Sequence, residues 1–172
     1  MLIYKDILSG DELISDSYNI KEVHDGSVIE VDCTMITIGA VDVDIGANAS
    51  AEEAEEGLED TAKKENDIIY SFQLQEQPPL DKKAYKEHLG RYYKKVKAKL
   101  DENGASAEEK AAFAKACKEV LEKVRANIKD YEFLIGESMD EGNGMLVLLN
   151  YREDGVTPYV TYFKHGLVET KV

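Results

Sequence analysis

The sequence is short of residue types that mark several protein classes. Its 172 residues include no tryptophan, three prolines and two cysteines. Because Cys33 and Cys117 lie far apart in the chain, neither a disulfide framework nor a zinc site made of cysteine pairs is expected. We expect both thiols to be reduced, and Cys117 falls at a position that a helix would bury.

Long apolar runs are also missing. The chain opens with Met1-Leu-Ile-Tyr-Lys5, so a charged residue comes early. A secretory signal needs a longer apolar stretch, and a transmembrane helix needs about 20 apolar residues. We therefore expect a cytoplasmic protein without a transmembrane segment.

Positive charge is scarce as well. The chain has 21 lysine and arginine residues against 35 aspartate and glutamate residues, which gives a formal net charge of -14. Such a protein repels the phosphates of nucleic acids, so we expect no nucleic acid partner. A hydrophobic fraction of 43% over this length is enough for one core, and we predict a single domain over residues 1–172.

Catalytic motifs are absent from the sequence. It contains no phosphate-binding glycine loop, no nucleophile elbow and no helix motif of the zinc proteases. His24, His88 and His165 have no partner motif beside them, and we predict that they are exposed. We predict a protein that is not an enzyme and requires no cofactor.

Strand patterns occur in both halves of the chain. Turns at Gly26 and Gly155 separate β-branched and aromatic runs, which predicts two hairpins. Pro158 is predicted to precede its strand, because proline cannot donate to a sheet ladder. The predicted strands are residues 20–23, 28–32, 34–38, 68–74, 147–151 and 159–163.

The middle of the chain has helical periodicity. Apolar residues recur at helical spacing on both sides of Asn103-Gly104, a stop signal. Asp81 and Ser106 are suited to cap the two helices, and Ser106 opens a capping box. We predict an αα-hairpin over residues 81–129 that is inserted into a sheet domain, which is an α+β fold.

Residues 39–67 have little to bury, and we predict a long flexible acidic loop. Asp42 and Asp44 resemble the start of an EF-hand loop, but Gly46 stands at the fifth place rather than at the sixth that such a loop requires. If calcium binds, we expect weak coordination near this loop or near Asp11 and Glu12. The alternative is a merely solvated acidic surface.

The first predicted helix is basic in an acidic protein. Residues 81–100 contain eight basic and two acidic side chains. An acidic partner such as a tubulin tail, a phosphorylated segment or a membrane surface would suit them, and the alternative is a solvated helix face balanced by the acidic loop. The basic residues are Lys82, Lys83, Lys86, Arg91, Lys94, Lys95, Lys97 and Lys99.

Two segments resemble the signatures of the translationally controlled tumor protein family, also called histamine-releasing factor. The first contains Ile45, Gly46, Asn48, Ser50 and Glu52, and the second contains Gly136 and Glu137. The resemblance spans the chain and implies a β-tent fold with a projecting helical hairpin and a flexible acidic loop. Ser50, followed by acidic residues, is a candidate for phosphorylation.

The resemblance also implies a function. It points to a cytosolic, non-enzymatic protein that binds small GTPases as a regulator or chaperone of the nucleotide-free form, linked to growth, translation and stress responses. The family's GTPase-facing carboxylate matches Glu12, next to Asp11. The alternative that the family implies is a calcium-binding, microtubule-stabilising protein that acts through the basic helical hairpin.

Two further expectations follow from the resemblance. The chain ends in Glu169-Thr-Lys-Val172, without the cysteine that some animal members use for dimerisation, and we expect a monomer. The tent is also similar to methionine sulfoxide reductases, but this third interpretation needs Cys33 or Cys117 to be an activated thiolate.

Overall fold

The computed structural model describes residues 1–38, 63–138 and 144–171. Within these ranges the chain forms three α-helices and eleven β-strands, so the predicted α+β class is confirmed. The helices are α1 (Asp67–Phe72), α2 (Lys82–Glu102) and α3 (Ala107–Ala126). The strands are β1 (Leu2–Asp6), β2 (Glu12–Ser15), β3 (Ile20–Val23), β4 (Val28–Asp32), β5 (Met35–Ile38), β6 (Lys63–Asn66), β7 (Gln75–Gln77), β8 (Glu132–Ile135), β9 (Val147–Tyr151), β10 (Pro158–Phe163) and β11 (Leu167–Lys171).

The described strands form three antiparallel sheets. The largest has the order β3-β4-β10-β9-β8-β7, a second has the order β11-β1-β2, and β5 pairs with β6. All six residues of β10 are buried, because α3 packs on this strand and the three-stranded sheet lies against it. The Tyr162 hydroxyl on β10 donates a hydrogen bond of 2.9 Å to the carbonyl of Leu13 on β2, which ties the two sheets together.

Both predicted hairpins are confirmed. The turn between β3 and β4 places His24, Asp25 and Gly26 at positive φ, which glycine and aspartate tolerate better than most residues. The strand β10 begins at Pro158, one residue earlier than predicted. Proline is accepted there because it is the first residue of its strand.

The predicted strand at residues 68–74 is wrong, because Asp67–Phe72 is a helix. The Asn66 side chain accepts hydrogen bonds from the backbone N–H groups of Ile68 and Ile69, at 3.0 and 3.2 Å. This cap satisfies the first helical donors and overrides the strand preference of the sequence. The helix ends at Gln73, which has a φ of 54°.

The boundary of the predicted acidic loop at residue 67 is also wrong. Residues 63–66 form β6, which pairs with β5, and Asp67 already belongs to α1. The carboxylate of Asp67 accepts a hydrogen bond of 2.9 Å from the backbone of Thr34, which joins the end of this segment to the first half of the chain. The remainder of the predicted loop, residues 39–62, lies outside the described residues.

The helical hairpin is confirmed with both of its predicted caps. Asp81 accepts a hydrogen bond of 2.7 Å from the backbone of Ala84, and the Ser106 hydroxyl accepts one of 3.1 Å from the backbone of Glu109. Each helix has one buried stripe at helical spacing. The stripes consist of Tyr85, Leu89, Tyr92, Val96 and Leu100 on α2 and of Phe113, Ala116, Cys117, Val120 and Val124 on α3.

An aromatic cluster joins this hairpin to the large sheet. The ring of Phe113 on α3 lies 6.3 Å from that of Tyr92 on α2 and 6.0 Å from that of Phe163 on β10. Pairs at these distances contribute more than their buried area alone. The hairpin is therefore part of the same core as the sheet.

Candidate functional site

Neighbouring carboxylates at the start of β2 have different environments. The Oδ2 atom of Asp11 accepts hydrogen bonds from the hydroxyl and the backbone N–H of Ser138, at 2.6 and 3.3 Å. Glu12 is exposed as the first residue of β2, and the next three residues of the strand are buried. Asp11 is thus partly buried and bonded to Ser138. Glu12 is exposed to solvent on a strand whose other residues are buried.

The turn that precedes these residues is fixed by the buried Asp6. Its carboxylate accepts hydrogen bonds from the backbone N–H groups of Leu8 and Met145, at 2.9 and 2.5 Å. Its own backbone N–H donates a bond of 2.8 Å to the carbonyl of Asp11. Burial raises the pKa of the Asp6 carboxyl, and these backbone donors oppose the shift. The position of Glu12 is set by this network.

The second signature segment lies against the same turn. A methyl group built on Gly136 would overlap the Asp11 side chain, so only glycine leaves room for this carboxylate. Glu137, between Gly136 and Ser138, is exposed. The structure therefore places Asp11, the neighbour of Glu12, against Gly136, the neighbour of Glu137, although the two pairs are far apart in the sequence.

The residues of the first signature, together with Asp42 and Asp44, lie outside the described residues. The structure places neither the phosphorylation candidate nor the proposed start of a calcium loop. In the ranges 1–38, 63–138 and 144–171, no group of three or more histidine, cysteine, aspartate or glutamate side chains is arranged to hold a metal ion. Calcium binding stays a prediction. The undescribed signature residues are Ile45, Gly46, Asn48, Ser50 and Glu52.

All eight basic residues of α2 are exposed. Lys99 forms an ion pair of 3.7 Å with Glu102 on the same helix. On one flank of the helix, Arg91 and Lys95 line a cavity of about 380 Å³ beside Leu80. The opposite flank carries Lys86 above a shallow groove of about 410 Å³ between α2 and α3, so the positive charge covers two surfaces of the hairpin.

The prediction that the histidines are exposed is wrong, because all three are partly buried. The Nδ1 atom of His24 lies 2.5 Å from the Glu119 carboxylate on α3, and His165 packs 5.9 Å from the ring of Phe113. The sequence placed His24 and His165 beside turns, but α3 covers both turns. Burial lowers the pKa of His165 below its usual value. His88 lines the cavity beside Leu80.

Both cysteines are buried and free. Burial raises the pKa of the Cys33 thiol to about 11 and that of the Cys117 thiol to about 12. A nucleophilic cysteine needs a lowered pKa so that the thiolate is populated at neutral pH. Neither thiol has the environment that a sulfoxide reductase would require.

A charged cluster that the sequence pattern did not reveal joins β4 to the end of β9. The guanidinium of Arg152 lies 2.6 Å from the Glu30 carboxylate and 2.7 Å from that of Asp32. It also stacks 3.9 Å from the ring centroid of Tyr159. Glu30 and Asp32 alternate on one strand, but only the register of β4, β10 and β9 shows that an arginine stands opposite them.

Comparison with known proteins adds information about the whole chain. A family model described as "Translationally controlled tumour protein" matches residues 1–168. A translationally-controlled tumor protein homolog of Gibberella zeae is 61% identical over 100% of both chains, and one of Alternaria alternata is 57% identical over 100% of both chains. None of the helices in the described ranges is long and apolar enough to cross a membrane.

Solved structures agree with this match. The chain has a TM-score of 0.79 and 50% identity to a translationally controlled tumor-associated protein of Schizosaccharomyces pombe, with 100% of each chain covered. A translationally-controlled tumor protein of Caenorhabditis elegans, solved by NMR, gives a TM-score of 0.70 at 30% identity, with 100% of this chain and 99% of that chain covered. The fold and the sequence therefore point to the same family.

Proposed function

The chain belongs to the translationally controlled tumour protein family, and from this premise we propose that it is a cytosolic, non-enzymatic protein that binds small GTPases. The contact surface is the start of β2 with the adjoining second signature segment. The protein acts there as a regulator or chaperone of the nucleotide-free GTPase, in growth, translation and stress responses.

One observation carries this proposal, which is the division of roles between Asp11 and Glu12. Asp11 bonds to Ser138 and holds the second signature segment against the turn. Glu12 is exposed on a strand anchored by Leu13 and Ile14, both fully buried. Because the backbone of this strand is anchored, only the side chain of Glu12 has to be ordered when it pairs with an arginine or lysine of a partner. An exposed pair is worth only about 0 to 1 kcal/mol, so Glu12 contributes more if the interface excludes water.

The test is a titration of the protein against Ras-like and Rab-like GTPases, each nucleotide-free and loaded, with affinity and nucleotide release followed together. We expect saturable binding to at least one nucleotide-free GTPase. Glu12→Ala is expected to weaken it about fivefold to tenfold, the effect of about 1 to 1.4 kcal/mol.

Glu132→Ala provides a matched control. Glu132 is the exposed first residue of β8 and is followed by three buried residues, the same arrangement as Glu12 on β2. The Glu132 variant should leave GTPase binding unchanged. If every GTPase in the panel fails to bind, or if both variants weaken binding equally, the proposed surface is wrong.

The second candidate function is a microtubule-stabilising contact through α2. It is supported by the exposure of all eight basic residues of this helix, which carry positive charge on an acidic protein. An acidic tubulin tail could form ion pairs with these residues on either flank of the hairpin. Such a contact is electrostatic and is expected to weaken steeply with added salt.

Co-sedimentation with microtubules tests the second candidate. Replacing Lys94 and Lys95 by glutamate should abolish binding at low salt, whereas Lys171→Glu, an exposed lysine at the end of β11, should retain it. Binding that is insensitive to salt or to the double substitution would contradict the electrostatic contact. Calcium added in the same assay shows whether the ion changes the affinity.

A further inference from the structure

A wide cleft separates the two larger sheets at the end of the helical hairpin. It has a volume of about 860 Å³. Its apolar lining includes Tyr4 on β1, Ile20 on β3 and Leu167 on β11, which are partly buried and pack on the core. The helical wall is formed by the start of α3, including Ala112. The GTPase surface proposed above does not include this cleft.

Two strand edges border the cleft. Among the described strands, β3 is the outermost strand of the large sheet and β11 is the outermost strand of the small one. Both contribute to the lining, β3 with Ile20 and Glu22 and β11 with Leu167 to Glu169. Val168 on β11 is 44% exposed. An edge strand presents unpaired backbone N–H and C=O groups, which are a template for another strand.

The rim of the cleft is acidic. Five carboxylates line it, against a single lysine, Lys164. Lys164 is paired with one of them, Glu22, at 3.2 Å, and another, Asp25, is paired with Lys115 on α3 at 3.5 Å. The remaining three have no ion-pair partner within the described part of the chain. They are Glu108, Glu109 and Glu169.

We propose that this cleft binds an extended peptide segment of a partner protein that carries lysine or arginine side chains. The segment adds to β11 through backbone hydrogen bonds, as in other cases of strand addition. Alternate side chains of such a strand point to opposite sides. The register of β11 with β1 places Tyr4, Leu167 and Glu169 on the same face. Basic residues of the added strand lie on this face, where their aliphatic stems pack beside Tyr4 and Leu167 and their charges face Glu109 and Glu169. Its apolar residues lie on the opposite face, beside the exposed Val168.

The experiment uses a fluorescein-labelled peptide of about eight residues, a usual strand length, with alternating lysine and valine. Fluorescence polarisation with the full chain is expected to show saturable binding that weakens with salt. The matching peptide of alternating glutamate and valine should not bind. A lysine–valine peptide with alternate backbone nitrogens methylated should bind at least tenfold more weakly, because it cannot donate to an edge strand.

Two independent variants test the location. Glu109→Gln combined with Glu169→Gln should weaken binding of the lysine–valine peptide about fivefold, while Glu122→Gln, on α3 but outside the cleft, should leave it unchanged. Ala112→Tyr reduces the cleft without changing charge and should also weaken binding. Circular dichroism checks that each variant is folded.

Two outcomes would overturn this inference. The first is equal affinity for the methylated and unmethylated peptides, which would mean charge attraction without strand addition. The second is a Glu122→Gln effect as large as that of the double variant. The peptide proposal and the GTPase proposal can fail independently of each other. Glu12→Ala should leave peptide binding intact, and Glu109→Gln combined with Glu169→Gln should leave GTPase binding intact.

Discussion

At the scale of single residues, the adjacent carboxylates of Asp11 and Glu12 have different physical roles. Asp11 accepts two hydrogen bonds from Ser138 and fits against Gly136, where a larger side chain would collide with it. Glu12 has an exposed side chain. A substitution at Asp11 is therefore expected to change the stability of the fold. A substitution at Glu12 is expected to change partner binding without changing stability.

Substitution by alanine should separate these roles. Asp11→Ala is expected to lower the free energy of unfolding by about 1 to 2 kcal/mol, because Ser138 loses its acceptor and the turn loses its link to the second signature segment. Glu12→Ala should change stability by less than about 0.5 kcal/mol. Urea denaturation measures both. A larger loss for Glu12→Ala would show that Glu12 has a structural role.

His165 predicts a pH dependence with a definite sign. Burial lowers its pKa in the folded protein, so the unfolded chain, with a histidine pKa of about 6.5, binds a proton more readily. The contribution of neutral His165 to stability is therefore complete above about pH 6.5 and is lost as the pH falls toward its folded pKa. The expected result is that His165→Gln makes the decline in stability between about pH 6.5 and 5 less steep.

Chemical denaturation at a series of pH values checks this expectation. Above about pH 7.5, where His165 is neutral in both states, the wild type and His165→Gln should have parallel pH dependences. An unchanged slope in the acidic range would mean that His165 is protonated as easily in the folded protein as in the unfolded chain.

At the scale of secondary-structure elements, single side chains decide where a helix forms and which strands are joined. The α1 segment has β-branched and aromatic residues suited to a strand, yet the Asn66 cap makes it a helix. The cluster around Arg152 joins β4 to the end of β9. Glu30 in this cluster is only 7% exposed, so its charge needs a close partner.

Arg152→Ala is expected to lower the free energy of unfolding by about 3 kcal/mol. The substitution removes the 2.6 Å partner of Glu30 and leaves Lys123 at 3.5 Å as its remaining cation among the described residues. It also removes the stacking on Tyr159. Thermal and urea unfolding followed by circular dichroism measure the loss.

Lys164→Ala is the control for this measurement. Lys164 also pairs with a glutamate, Glu22, but both side chains are about half exposed, and such pairs contribute between about 0 and 1 kcal/mol. A similar loss for the two substitutions would mean that burial of Glu30 adds nothing to the strength of the Arg152 cluster.

At the scale of the whole molecule, the helical hairpin and the large sheet share one core. Phe113 on α3 contacts the rings of Tyr92 and Phe163, and it is 1% exposed. A core shared in this way favours a single cooperative unfolding transition. The hairpin is thus not expected to melt as an independent unit.

Phe113→Ala tests this cooperativity. We expect a loss of about 3 to 5 kcal/mol, because a buried aromatic side chain is replaced by a cavity. The chain has no tryptophan, so tyrosine fluorescence reports the tertiary packing and far-ultraviolet circular dichroism reports the helices. The two transitions should coincide in the wild type and in the variant. Separate transitions would identify the hairpin as a second domain.

Local patterns in the sequence determined the two long helices and five of the eleven strands that the structure describes. The helical hairpin with its caps at Asp81 and Ser106, and the two β-hairpins turning at Gly26 and Gly155, follow from short-range periodicity and turn chemistry. The two signature segments identified the family, which the comparison with known proteins confirmed. These features depend on residues that are close in the chain, so the sequence alone contains the information.

Only the tertiary structure decided which distant residues meet. The contact of Asp11 with Ser138, the pairing of Arg152 with Glu30, and the cleft between β3 and β11 each join segments far apart in the chain. The register of the strands and the packing of α3 on β10 create these contacts. The partial burial of His24 and His165 has the same cause, because α3 covers turns that look solvent-exposed in the sequence. Such contacts depend on how the sheets and helices pack, and no short-range pattern encodes that packing.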